Sequence, residues 1–469
     1  MNNMLKIKNN FANWLIYLIP IPFVLNFFLN LYDNELNITF LNLTNLSYSF
    51  ISFFFLYNFC SLISQSLNLN NISFSVAIFY ISFYVINFST LILDKRMNSF
   101  ENYFYFTILI WVIFLIFRIK MLNKFNIFLS IFSILFVNFI KDYLYSSTYK
   151  VSQLSSDTEY FWTPMSKSIY ENGLFVALEN NIISGYGLLI NYVHTVNFKL
   201  FINDENFYFH TATTNIFLFL GILFIWELKV NKIIKIFGLS IFLSILLNSD
   251  WLSYLLINSS MGEGVVNYLF GALYLPLVNI LKNNSFETNL NNTYLIVFFS
   301  GYLYFTKPFV SYLVLLCILI IFLKIKKIKI VIFGLFGFIV NYLNYLFVIS
   351  TSTSDTYLNI SEFSNTKNLL NLKIENILQI IFNLFNRDKV MALFLLILLI
   401  IVVLNILKEK SVSEITLILL VNALLVFALY SSVWQNKELE SAYRYLFSIF
   451  NLYFVLYINE LEKLFKNKF

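Results

Sequence analysis

The feature that most limits what this chain can become is its repetition of long apolar runs with short polar joints. Such runs lie near 12–31, 47–64, 72–93, 104–117 and 126–140, and again near 206–226, 236–250, 264–281, 293–306, 308–323, 330–350, 390–407, 414–433 and 445–459. About 20 apolar residues cross a bilayer as a helix. The runs show no two-residue alternation, so they predict helices rather than the strands of a barrel. Charged residues are 12% of the chain, about half the share usual in soluble domains. The expected fold is an all-α, polytopic transmembrane helical protein of about 12–14 spans, in which 293–323 is either two spans or one unit broken at Lys307-Pro308. With 11 Gly and 5 Pro against 56 Phe, the spans are expected to pack through bulky side chains rather than glycine.

Lys and Arg in short loops set orientation. Lys6 and Lys8 predict a cytoplasmic N-terminus, and no cleavable signal follows them. The basic clusters at 118–124, 229–235, 324–329, 408–410 and 463–468 then share the inner side, with the C-terminus. This holds only if the apolar segment Gly185–Ile202 does not cross, so it is read as an amphipathic or re-entrant helix at the outer surface. The acidic residues then gather outside. The chain divides into N-terminal spans (1–140), an outer loop with juxtamembrane helices (141–205), and a remaining core (206–469). That core carries a second outer loop at 350–389 with an amphipathic helix expected over Leu369–Phe385. Cys60 and Cys317 both lie in apolar runs and read as buried small hydrophobes. Heavy use of Asn, Ile, Lys, Phe and Tyr is that of an AT-rich genome, and the expected location is a bacterial inner membrane.

The first outer loop holds the chemistry-bearing candidates. Asp157 and Glu159 precede Tyr160, Phe161, Trp162 and Pro164. A carboxylate at a membrane surface can act as a general base or hold a metal ion; a solvated loop acid is the plainer reading. Trp162 reads as a substrate contact or an interfacial anchor. From Trp162 the pattern turns helical, and Asn172-Gly173 is expected to end the helix. Lys167 and Glu171 are spaced to pair along it. His194 lies on the surface helix with Tyr192 and Asn197, and a lone histidine is more often structural; His210 begins a span. Asp250 and Glu263 form a second acidic pair at span ends, where a carboxylate is costly and a functional candidate by default. Lys307 and Arg444, beside Tyr443, sit at the outer edge and suit a lipid phosphate or simple anchoring.

The order of these features resembles the GT-C superfamily of integral-membrane glycosyltransferases. The matching features are an acidic pair after a span, a helix ended by glycine, and an apolar helix opened by Ser184-Gly185-Tyr186-Gly187-Leu188. A short loop over Ser260–Leu269 follows, then Thr306-Lys307-Pro308 within Tyr304–Pro308, and a late Tyr443-Arg444-Tyr445. The resemblance implies sugar transfer from a polyprenyl-phosphate carrier to an extracytoplasmic acceptor: a cell-envelope glycan, a lipid or a protein. It makes Asp157 the catalytic base with Glu159 as neighbour or substitute. Lys307, Arg444, Tyr443, Trp162, Lys167 and His194 become candidates for binding donor or phosphate. Asp157, Glu159 and Glu263 become candidate ligands for a divalent ion (Mg or Mn). Membrane lipids are expected partners and nucleic acid is not. Two other classes remain open. A lipid-linked glycan polymerase or ligase is expected to carry arginines in its outer loops, and here there is only Arg387. A flippase or other transporter is expected to carry charges at mid-membrane, whereas these lie at span ends.

Overall fold

The computed structural model describes residues 43–67, 69, 71–93, 100–118, 124, 127–128, 162–180, 188–201, 220–249, 252, 264–273, 290–303, 308–351, 374–409, 416–417, 420–424, 426, 446 and 449–465. Nearly all of them are helical and none is in a strand. The helices are α1 (Leu43–Ser66), α2 (Ile72–Leu93), α3 (Phe100–Phe117), α4 (Thr163–Asn172), α5 (Leu174–Asn180), α6 (Leu189–Phe201) and α7 (Lys232–Asn248). They continue as α8 (Leu290–Tyr302), α9 (Pro308–Ile325), α10 (Ile328–Thr351), α11 (Ile374–Arg387), α12 (Lys389–Glu409) and α13 (Phe450–Phe465). Helical stretches also occupy 220–227 and Gly264–Leu273. The predicted spans at 12–31 and 126–140 lie outside the described residues, apart from 127–128.

Among the described residues, three helical segments are long and apolar enough to cross a membrane: Phe100–Phe117, Ile328–Ser350 and Lys389–Leu407. Each is apolar on its outward side as well as its inward one. On α3, Tyr103, Phe104 and Thr107 are buried while Leu109, Ile116 and Phe117 are exposed. On α10, Leu335, Phe336, Ile339 and Leu343 are exposed, and on α12 so are Leu396, Leu399 and Leu404. A helix that is apolar all round and exposed on one side suits a hydrocarbon surrounding.

Helix α2 is the buried centre of the first half. Phe74 through Ile81 are all enclosed. Phe79 meets Phe59 of α1 edge-on at 5.6 Å, and Phe83 stacks on Phe104 of α3 at 5.4 Å. In the second half, α13 is flanked by α7 and α12, with Phe242, Phe394, Phe450 and Phe454 in one aromatic cluster.

The pair α8–α10 departs from the expectation of packing without glycine. A Cβ on Gly301 would lie 2.1 Å from the Gly334 carbonyl oxygen, and one on Gly337 would lie 2.0 Å from the Phe298 carbonyl oxygen. The two backbones therefore touch, which only glycine permits. Tyr294 stacks on Phe333 at 5.2 Å beside this contact. The Asn344 side chain donates to the Tyr302 hydroxyl (2.7 Å), and Asn341 donates to the Tyr302 carbonyl. Composition hid this because few glycines suffice when they face one another.

The expected amphipathic helix of the second outer loop is present as α11. Its Ile374, Leu378, Phe382 and Phe385 are exposed, while Ile380 and Leu384 pack inward. The segment expected to lie on the outer surface is helical as α6, but protein encloses it. Leu188 through Asn197 are all buried, among them Asn191, His194, Thr195 and Asn197. Of these, Asn191 and Thr195 bond to α4 and Asn197 to α2, as set out below.

Gly301→Ala and Gly337→Ala should each destabilise the protein by about 1–3 kcal/mol or more, since a backbone rather than a side chain must move. Gly221→Ala, whose Cβ would find its nearest neighbour at 3.5 Å, should be neutral within about 1 kcal/mol. Thermal unfolding in detergent would check this ranking, which fails if the three variants behave alike.

Candidate functional site

The segment read as the first outer loop enters the described structure at Trp162, which occupies the N-cap position of α4 and is 5% exposed. Pro164 occupies the first turn, where a missing N–H is tolerated. Gly173 ends the helix with φ 82°, a conformation open to glycine, and its N–H donates to the Ile169 carbonyl. The helix thus runs between the boundaries its sequence marks. Met165 and Ile169 face the core, and Leu174 continues that side into α5.

What fixes α4 is a buried polar clamp to α6. The Trp162 carbonyl accepts from Ser166 Oγ (2.6 Å) and from Asn191 Nδ2 (3.2 Å). Thr195 Oγ1 donates within reach of both the Ser166 carbonyl (3.2 Å) and the Asn191 carbonyl (2.8 Å). Helix α6 is held in turn by α2: Tyr80 donates to Asn197 Oδ1, and the Tyr84 hydroxyl bonds the Leu188 backbone. The Tyr84 ring lies 5.1 Å from Tyr192 and 5.9 Å from Tyr302 of α8. Phe100 of α3 and Phe347 of α10 close on Tyr170 and Phe175. The loop's helices are therefore bolted to α2, α3, α8 and α10 as one platform.

Of the predicted site residues, Trp162 is buried in this platform rather than open to an interface. Lys167 and Glu171 form an ion pair at 3.6 Å on its exposed side; pairs this exposed contribute little. His194 is fully buried in α6, and burial lowers its imidazole to about 3, so the ring is neutral at neutral pH. Asp157, Glu159, Asp250, Glu263, Lys307, Tyr443, Arg444 and His210 lie outside the described residues. The candidate metal ligands Asp157, Glu159 and Glu263 are among these. Among the described residues no group of three His, Cys, Asp or Glu side chains comes together.

Two acids that the sequence reading passed over prove to be structural anchors. Asp388 caps α12, its Oδ1 accepting from the Met391 N–H at 2.9 Å while Ser249 Oγ donates to Oδ2. It ties the end of α7 to the junction of α11 and α12. An Asp three residues before Met391 at the head of an apolar run is an N-cap signal that could have found it. Glu227, at the end of the helical stretch 220–227, accepts from the Ile72 and Ser73 N–H groups and so caps the N-terminus of α2. Between α11, α12 and α13 lies a cavity of about 320 Å³ lined by Leu384, Ala392, Leu398, Val402, Tyr453 and Leu456. Its walls are almost wholly hydrocarbon.

No family model matches this sequence, and neither the curated proteins nor the solved structures yield a match.

Because the unfolded chain takes a proton on His194 below about 6.5 and the folded chain does not until about 3, this residue should lower stability as pH falls through that window. The slope is about 1.4 kcal/mol per pH unit at most. Unfolding midpoints of wild type and His194→Gln should converge as pH drops from 7 to 5. Parallel curves would show that the ring titrates in the folded protein.

Proposed function

We propose that this protein is an integral-membrane glycosyltransferase that takes a sugar from a polyprenyl-phosphate carrier and places it on an extracytoplasmic acceptor of the cell envelope. The observation that carries this reading is the α4–α6 clamp. The helix that follows Asp157 and Glu159 in the sequence is fixed to α6 and, through it, to α2, which supports reading α4 and α6 as the rigid platform of the proposed base. Positioned groups, rather than mobile ones, are what general-base chemistry requires. The hydrocarbon-lined cavity among α11, α12 and α13 is consistent with a ligand that carries an apolar tail. The motif order that resembles the GT-C superfamily supplies the reaction class.

In this reading Asp157 takes the proton from an acceptor hydroxyl or amine as that atom attacks the anomeric carbon. The bond from that carbon to the phosphate oxygen breaks, configuration inverts, and the polyprenyl phosphate leaves with the bonding pair. Lys307 and Arg444 stabilise the charge on the departing phosphate. A divalent ion, in an enzyme of this kind that uses one, would be held by Asp157, Glu159 and Glu263. The setting is a bacterial inner membrane with both termini cytoplasmic and this face outside.

Transfer from a labelled polyprenyl-phosphate sugar pool in membranes should fall at least 100-fold in Asp157→Asn at matched expression, with a smaller loss in Glu159→Gln. Loss confined to Glu159→Gln would move the base by two residues. Full activity in both variants would remove this loop as the catalytic site. No transfer by wild type from any donor would favour a glycan polymerase or a flippase.

A further inference from the structure

Between α11, α12 and α13 the bundle leaves a slot of about 320 Å³, and helix geometry sets its shape. Phe394 meets Phe450 near the heads of α12 and α13, and Asn405 donates to the Glu460 carboxylate towards their ends, so the two helices run side by side in one direction. On α12 the lining extends from Ala392 to Val402, and on the α13 side from Leu446 to Leu456. At ~1.5 Å per residue each interval is about 15 Å long, which is half of a hydrocarbon core about 30 Å thick. Leu384 and Phe385, at the end of α11 that joins α12, line the head of the slot. One turn beyond Val402 the Asn405–Glu460 bond crosses between the helices and bounds the other end. Leu396 and Leu399 line the slot and are exposed, so it opens sideways.

The lining side chains are hydrocarbon apart from Thr416 and Tyr453, and the Tyr453 hydroxyl accepts from Asn422 Nδ2 at 3.3 Å. Such a cavity stays dry and takes up apolar ligands; one of about 150 Å³ holds a benzene ring, so this one takes a chain of roughly a dozen carbons. A helix, about 10 Å across, is too wide for it, and an extended peptide would bury backbone N–H and C=O groups without partners. At the head of α12, Lys389 lies one turn before Ala392 on the same face of the helix, and it is exposed. The adjacent Asp388 carboxylate is turned to Ser249 and the Met391 N–H rather than to this ammonium. The slot therefore has an apolar body one leaflet deep and a cation at its head.

We propose that this slot is a binding site for one acyl chain of an anionic phospholipid, with the lipid phosphate at Lys389. Any apolar tail suits the walls, but the dimensions select a chain that ends within one leaflet over a polyprenyl chain, which is far longer. The occupant stands in the leaflet that meets the head of α12 and enters sideways past Leu396 and Leu399 without leaving the bilayer. It fills the space beside Leu384 and Phe385 and so fastens the amphipathic α11 to the bundle. The site does not depend on the transfer reaction proposed above.

The test is titration of the full-length protein in detergent with dilauroyl phosphatidylglycerol, dilauroyl phosphatidylcholine and undecaprenyl phosphate, read by native mass spectrometry. Ala392→Phe, which fills the slot, should weaken phosphatidylglycerol binding by about tenfold or more. Equal binding by variant and wild type overturns the site. Ala392→Leu, a smaller filling, is read the same way where Ala392→Phe fails to fold. Lys389→Gln should weaken phosphatidylglycerol binding about fivefold and leave phosphatidylcholine binding unchanged. An unchanged affinity for phosphatidylglycerol, or an equal loss for both lipids, overturns the placement of the phosphate. Undecaprenyl phosphate binding that the filled variants lose while they keep phosphatidylglycerol would give the slot to the sugar carrier and overturn the proposal.

Discussion

In hydrocarbon an apolar side chain gains little by choosing a protein neighbour over a lipid one, so helices must be joined by polar bonds or by close backbone packing. That constraint organises this molecule. The α8–α10 contact is made where Gly301, Gly334 and Gly337 let two backbones meet. It is then locked by Asn341 and Asn344 on Tyr302. The α4–α6 contact is made by Ser166, Asn191 and Thr195. At the far end of the chain Asn405 of α12 donates to the Glu460 carboxylate of α13 at 2.8 Å, and Lys463 pairs with the same group. Each such bond is a fixed point that the abundant Phe and Leu fill in around.

These fixed points explain how much of the fold could be read from the chain. The apolar runs located α1, α2, α3, α10 and α12 within a few residues, because length and hydropathy alone decide them. The helical pattern beginning at Trp162 and the Asn172-Gly173 stop marked both ends of α4, the latter because glycine readily takes the backbone that ends a helix. What could not be read was which polar residues face inward. Loop charge placed α6 at the surface, yet Asn191 and Thr195 are satisfied by α4 inside the protein. Periodicity reports that polar residues share a face; it does not report what covers that face.

The same limit governs the acids. Sequence position singled out Asp250 and Glu263 because a carboxylate at the edge of an apolar run is costly and demands a reason. The reason can be structural. Asp388 and Glu227 occupy equivalent edges, and each meets that cost by capping a helix: its own α12 in one case, the distant α2 in the other. An acid at a span end is thus equally a cap for a neighbouring helix or a group free to react. The difference lies in whether N–H groups already occupy both oxygens.

Applied to the two sides of the protein, that distinction separates holding from reacting. Glu227 accepts on both oxygens from the end of α2, so its role is to hold that helix in place. A catalytic base must keep at least one oxygen open to the acceptor it deprotonates, so its position has to be fixed by neighbouring backbone rather than by donors on the carboxylate itself. The α4–α6 clamp supplies that kind of support, because Ser166, Asn191 and Thr195 bond one another's helices and the Trp162 carbonyl without using an acid. Support of that kind is what the proposed general-base transfer calls for.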